Sequence, residues 1–185
     1  MGLLFVWTQP IYAQESAAFE NIRDVSPDGK FALRISCSSE PEDPDNIDSS
    51  LITAADLVSL PSKKVVVNVM EEGTPPHLIW SSDSQWAAFP VSEGHRVTET
   101  YVYHRSGEEF AKLETESLRV DAKGDVRNEY VSPVRWVKPG VLLLKQFDIF
   151  RGGDSQDATY QFTAKFDEKT GKFQVASKKK IPSKE

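Results

Sequence analysis

One cysteine in 185 residues leaves no pair for an internal disulfide, so no disulfide framework holds this fold. Long apolar runs are missing as well. The run from Leu3 to Trp7 is cut off by Pro10, far short of the roughly 20 residues a transmembrane helix needs. The three histidines, His77, His95 and His104, show neither His-x-x-x-His nor His-Glu-x-x-His spacing, which removes sequence support for a zinc hydrolase. There is no Gly-x-Ser-x-Gly elbow, and Arg151-Gly-Gly-Asp lacks the Lys-Ser/Thr ending of a phosphate loop. Basic charge is scarce: 22 Lys and Arg stand against 28 Asp and Glu, a net −6 that argues against a general nucleic-acid binder. No long segment keeps a clean helical period. Phe110, Leu113 and Leu118 come nearest, but Thr115 and Ser117 break the pattern, so 114–125 is read as one short helix or an irregular excursion.

What the chain does have is strand-length alternation and turn chemistry. In Phe31-Ala-Leu-Arg-Ile-Ser-Cys37, alternation places Phe31, Leu33, Ile35 and Cys37 on one face, which makes Cys37 an inert core thiol rather than a nucleophile. It also lacks the Leu-Ala-Gly-Cys context of lipid attachment. Tyr160, Phe162, Ala164 and Phe166 alternate with Gln161, Thr163 and Lys165, the pattern of an antiparallel strand with one wet face. Hairpin turns are expected at 61–63, at Ser106-Gly107 and at 167–172.

These pieces recur. Val25-Ser-Pro-Asp-Gly-Lys-Phe-Ala-Leu-Arg34 can be laid over Trp80-Ser-Ser-Asp-Ser-Gln-Trp-Ala-Ala-Phe89, and more weakly over Trp136-Val-Lys-Pro-Gly-Val-Leu-Leu-Leu-Lys145; the starts lie 55 and 56 residues apart. A hairpin-like segment follows each copy. The expected fold is all-β: three antiparallel, blade-like meanders of about 55 residues. They would form an open or partial β-propeller, or alternatively a sandwich-like packing of the same meanders.

The quoted turns resemble the TolB-type β-propeller repeat, in which a Trp/Phe-Ser-Pro-Asp-Gly-Lys-like turn leads into an apolar strand. Tyr101-Val-Tyr-His-Arg-Ser-Gly-Glu-Glu-Phe is similar to its later hairpin. The resemblance implies structural roles for Asp28, Gly29, Asp83, Trp80 and Trp136, and a protein-interaction scaffold of the bacterial envelope. Ser84 departs from the pattern where Gly is expected, and three blades fall short of the four to eight that close a ring.

Ile11-Tyr12-Ala13 resembles the end of a secretory signal, so 1–13 is read as a signal-peptide remnant, 14–177 as one all-β domain and 178–185 as a basic tail. The expected location is periplasmic or secreted. Asp43, Asp45 and Asp48 offer oxygen ligands suited to calcium, although the EF-hand Gly and Glu are missing and a solvated loop explains them equally. A second acidic loop runs from 152 to 157. Trp86, Tyr101 and Tyr103 have the chemistry of a sugar-stacking platform, but core packing has first claim on them.

The preferred functional reading is a non-catalytic exported module. It would bind an envelope protein, or pair as a homodimer, with no cofactor, no catalytic residue, no nucleic acid and no stable membrane insertion. The alternative is a propeller-scaffold hydrolase or lyase acting on glycans or peptides, which would require His95, Asp154 and Asp157, or another acidic pair, to converge in one pocket.

Overall fold

The computed structural model describes residues 19–44, 46–70, 75–152 and 157–182. The proposed signal remnant, Asp45 and Asp154 lie outside them. Antiparallel meanders account for nearly all the strand pairing. The first sheet is β1 (Phe19–Arg23), β2 (Phe31–Cys37), β3 (Ile52–Ser59) and β4 (Lys64–Met70), paired in that order. The second holds β5 (Ile79–Trp80), β6 (Trp86–Ser92), β7 (Val97–Ser106), β8 (Glu109–Lys112), β9 (Val126–Lys138), β10 (Val141–Phe150), β11 (Ala158–Asp167) and β12 (Lys172–Ile181). Its order is β12-β11-β10-β9-β7-β6-β5, with β8 on the far end of β7. The chain is therefore all-β in two sheets, and neither closes into a barrel.

The second sheet is itself two antiparallel meanders, β5–β8 and β9–β12, joined by a short parallel seam. Only Val97↔Glu129 and Thr98↔Tyr130 pair across it. The Thr100 hydroxyl donates to the Val131 carbonyl at 3.0 Å, and the Glu129 amide to the Arg96 carbonyl at 2.9 Å. Because the seam is so short, the two halves fold over on each other. Trp86, Ala88 and Val102 of the β5–β8 meander meet Trp136, Leu142, Leu144, Phe162 and Phe173 in one core. Trp86 is its hub, with ring centroids 5.5 Å from Trp136 and 5.1 Å from Phe166.

The opposite face of β6 and β7 is apolar too. Phe89, Tyr101 and Tyr103 pack with Phe31, Leu33, Ile35 and Cys37 of the first sheet in a second core. Strand alternation is the reason: successive residues of β6 point to opposite faces, and both faces here are hydrophobic. The β5–β8 meander is therefore the filling between the other two. Segment 114–125 is irregular rather than helical, and it buries Leu118 and Val120 in the first of these cores. The end of the chain also differs from the expectation of a basic tail: Lys178, Lys179 and Lys180 still belong to β12 and pair with Phe162, Gln161 and Tyr160. Cross-strand hydrogen bonding keeps them on the sheet despite their mutual repulsion.

The two best-matched turns have the same atomic plan. The Ser26 hydroxyl donates to Asp28 at 2.7 Å and accepts from the Phe31 amide at 3.0 Å; the Ser81 hydroxyl donates to Asp83 at 2.5 Å and accepts from the Trp86 amide at 3.0 Å. Each Asp also accepts from the amide two residues on, at 3.1 Å. The left-handed position is Gly29 (φ 69°) in one and Ser84 (φ 59°) in the other. A serine is uncommon there, and its side chain is used. The Ser84 hydroxyl accepts from the Asp28 amide at 2.9 Å, tying one turn to the other.

Two tryptophans repeat a longer link. Trp80 Nε1 donates to the Asp24 carbonyl at 2.7 Å, and Trp136 Nε1 to the Ile79 carbonyl at 2.9 Å. Each acceptor is the residue just before the position that Val25 and Trp80 occupy in the aligned turns. A residue that sequence inspection passes over, Arg105, completes the node. It donates to Asp28 at 2.7 Å and to the Gly107 carbonyl at 2.6 Å, and lies 4.4 Å over the Phe31 ring.

Burial pushes the Asp28 carboxyl up, but the Ser26 hydroxyl, Arg105 and the Lys30 amide outweigh it and hold it at about 2, against an ordinary 3.8. Asp28→Ala removes these contacts and is expected to cost about 1–2 kcal/mol at neutral pH by urea denaturation. A carboxyl held low contributes stability above its ordinary value and loses it as pH falls toward its folded one. The penalty should therefore shrink between pH 3.8 and about 2; a penalty that is constant over that window counts against the node.

Candidate functional site

With both faces of the β5–β8 meander covered, the outer face of β9–β12 is the large sheet surface left to meet a partner. Its composition follows from register. In β10, Leu142, Leu144, Gln146 and Asp148 are buried inward, so Val141, Leu143, Lys145, Phe147 and Ile149 point outward. Cross-strand neighbours share a face. Leu143 sits between Arg135 and Thr163, Lys145 between Ser132 and Gln161, and Phe147 between Tyr130 and Thr159. Lys165 lies beside Val141, and Lys179 beside Gln161.

The result is a flat face with half-buried apolar side chains and four cations, Arg135, Lys145, Lys165 and Lys179. None of these four is ion-paired among the described residues. Tyr130 and Phe147 stack at 6.2 Å with a 15° tilt, and Asn128 donates to the Tyr130 hydroxyl at 2.6 Å. Exposed Val134 and Val137 adjoin the face on β9. Chemically it can take up an apolar surface rimmed with carboxylates. A cleft of about 490 Å³ lined by Lys165, Asp167, Lys169 and Gln174 opens at its β11–β12 corner.

Comparison with protein-family models, curated proteins and solved structures finds no match. What the chain can do is therefore set by its own geometry.

A second feature is a buried polar cluster at the inner end of β10. The Gln146 amide, fully buried, accepts from the Val120 amide at 2.7 Å. Its NH2 lies 2.9 Å from the Val120 carbonyl, 3.0 Å from each Asp148 oxygen and 3.3 Å from Glu129. Two hydrogens cannot satisfy one carbonyl and two carboxylates. Burial pushes the Asp148 carboxyl up, only partly countered by Gln146. Burial pushes Glu129 up as well, with Asp148, Glu99 and Asp121 adding to it and Arg119 opposing. Two carboxylates with raised affinity for protons mark a site worth testing for chemistry, yet Asp148 is 0% exposed and no substrate atom can reach it.

The other candidates scatter. His95 lies in the exposed β6–β7 loop, where its carbonyl accepts from the Tyr130 hydroxyl at 3.3 Å; Asp157 is exposed before β11. His77 sits 3.4 Å from Asp24, and His104 packs 4.1 Å from the Trp86 ring. In the acidic loop, Asp48 accepts from the Ser50 amide at 2.9 Å and caps the short 3-10 turn Ser49–Leu51. Among the described residues no group of three His, Cys, Asp or Glu could hold a metal.

The proposed aromatic platform is divided between the cores. Trp86 faces one, while Tyr103 stacks on Phe89 at 5.8 Å in the other. Tyr101 donates to Glu93 at 2.8 Å under the Lys112 ammonium, and that carboxylate pushes its hydroxyl up to about 12. Cys37 is buried, and burial pushes its thiol up. No helix among the described residues is long and apolar enough to cross a membrane.

The carboxylate cluster yields a signed expectation. A carboxyl whose folded value is raised opposes folding above that value, and relief comes as pH falls through it. Asp148→Asn removes the buried charge and adds two hydrogens, so it should raise stability at pH 7 by about 1 kcal/mol or more. Wild type should gain on the variant as pH drops toward 5. Urea midpoints at the two pH values check this, and a destabilised Asp148→Asn overturns the reading of the cluster.

Proposed function

We propose that the chain is a non-catalytic, exported binding module, built as an open propeller-type array of three four-stranded units: β1–β4, β5–β8 and β9–β12. Support for the array comes from the matched Ser-Asp turns and from the tryptophan links running from each unit to the one before. Each unit lays one face on its neighbour, so a three-unit array has two terminal faces. Such an array does not bury its last face without a partner.

The observation that carries the binding reading is the outer face of β9–β12, with four cations that have no ion pair among the described residues set among Leu143, Phe147 and Tyr130. Half-buried apolar side chains spaced by these cations give a partner both apolar area to cover and charges to meet. The cleavage of glycans or peptides gains less support. An acidic pair must meet its substrate directly, and of Glu129 and Asp148 the second is sealed inside. Export rests on the Ile11-Tyr12-Ala13 ending read from the sequence.

A photo-reactive benzophenone residue in place of Leu143, introduced in the organism that makes the protein, tests this directly. Illumination is expected to give a defined protein adduct at position 143 and none at the exposed turn residue Ser62 on the first sheet. The absence of any adduct from position 143 overturns the reading.

A further inference from the structure

We propose that segment 114–125, which carries the chain from the middle meander to the last, is a proton-gated strap. It lies closed on the core between these meanders while the Glu129–Asp148 pair holds a proton, and it lifts at Val120 when both carboxyls are ionised.

The first support is how the strap is held. It adds Leu118 and Val120, each 3% exposed, to the core of Trp86, Val102, Trp136, Leu144 and Phe173. It is fixed near both ends. The Ser117 hydroxyl donates to the Phe173 carbonyl at 2.7 Å and Glu114 pairs with Lys172 at 3.0 Å. At the far end the Arg151 amide donates to the Asp125 carbonyl at 2.9 Å. Between these anchors the strap belongs to no strand. Among the described residues, the hydrogen bonds to the backbone of 119–124 are the two at Val120, and Gln146 makes both. One side chain therefore stands in for a strand ladder.

The second support is that this side chain is over-subscribed. Its oxygen accepts from the Val120 amide, while its NH2 meets the Val120 carbonyl at 2.9 Å, both Asp148 oxygens at 3.0 Å and Glu129 at 3.3 Å. Asp148 is fully buried, and a buried carboxylate holds a donor more strongly than a carbonyl does. Ionised Asp148 thus draws hydrogens from Val120. The groups around the pair give little relief. Glu99 faces it from β7, Asp121 and Arg119 face it from the strap, and β11 sets uncharged Ala158 opposite Asp148. Arg119 is the one cation among them, 3.9 Å from Glu129 and 60% exposed, where water screens it.

One bound proton changes both terms. A protonated carboxyl brings its own donor, carboxylate no longer opposes carboxylate, and a Gln146 hydrogen returns to the Val120 carbonyl. Burial pushes both carboxyls up, which moves the uptake of that proton toward neutral pH. The sign follows: acid closes the strap and alkali loosens it.

Hydrogen exchange read by mass spectrometry at about pH 5 and about pH 8, each rate divided by the intrinsic amide rate at that pH, tests this. Protection of 117–121 is expected to be about tenfold higher at the lower pH, measured relative to β11 residues 160–166 of the same core. Asp148→Asn removes the buried charge and Glu129→Gln gives Asp148 a second donor. Each should keep 117–121 near its acid-level protection, with less than about threefold difference between the two pH values. Equal protection of the wild-type strap at both pH values, or a change of opposite sign, overturns the inference. So does a change of the same size in 160–166, because the core would then open as a whole. A pH response of 117–121 that persists in whichever of the two variants folds overturns it as well.

Discussion

The structure depends on one constraint: the β5–β8 meander is apolar on both faces. Trp86, Ala88 and Val102 cannot be buried by the same neighbour that buries Phe89 and Tyr103, because alternate residues of one strand point opposite ways. Two separate covers are needed, and the chain supplies one from before and one from after. The first sheet and the β9–β12 meander are placed by that need. So is the short parallel seam at Val97 and Thr98, since a longer seam would hold β9 flat beside β7 and keep the two halves from facing each other.

Burying apolar faces sets which surfaces meet but not at what angle. The directional bonds do that. Trp80 and Trp136 each reach back to a carbonyl of the preceding meander, and the Ser84 hydroxyl and Arg105 both bind Asp28. These bonds cross between elements some 50 to 80 residues apart in sequence. A node of this kind explains why Asp28 and Asp83 stand where they do: each shapes its own turn through local amides, and Asp28 in addition receives a cation and a hydroxyl from the next meander.

Much of this was legible in the sequence. The all-β class, the buried face of β2 with Cys37 and the three hairpin turns rest on local periodicity and turn chemistry, which a single strand or hairpin displays by itself. What was not legible depends on pairs of distant residues. Arg105 has no mark except its place before the Ser106-Gly107 turn. Gln146 looks like an interruption in the apolar run of β10, and only the arrival of Val120 from the irregular excursion turns it into a clamp. Lys178 to Lys180 read as a solvated tail because repulsion among adjacent lysines is visible in the sequence, whereas the nine-residue pairing of β12 with β11 that overrides it is not. The candidate face was hidden for the same reason. Arg135, Lys145, Lys165 and Lys179 are scattered over 45 positions, and register alone lines them up.

The lysines of β12 also decide which kind of contact the last meander can make. An edge strand of ten residues presents unpaired amides and carbonyls, and pairing by edge would be the cheapest way to extend the sheet. Three consecutive cations along that edge oppose the approach of another strand, all the more of a second β12 with the same three. The outer face carries cations too, but spaced by Leu143, Phe147 and Thr163, so a partner can bury apolar area between them and bring carboxylates to each. An edge guarded by adjacent charge beside a face with separated charge favours association through side chains rather than backbone. That is the same mode of contact by which the three meanders already hold each other.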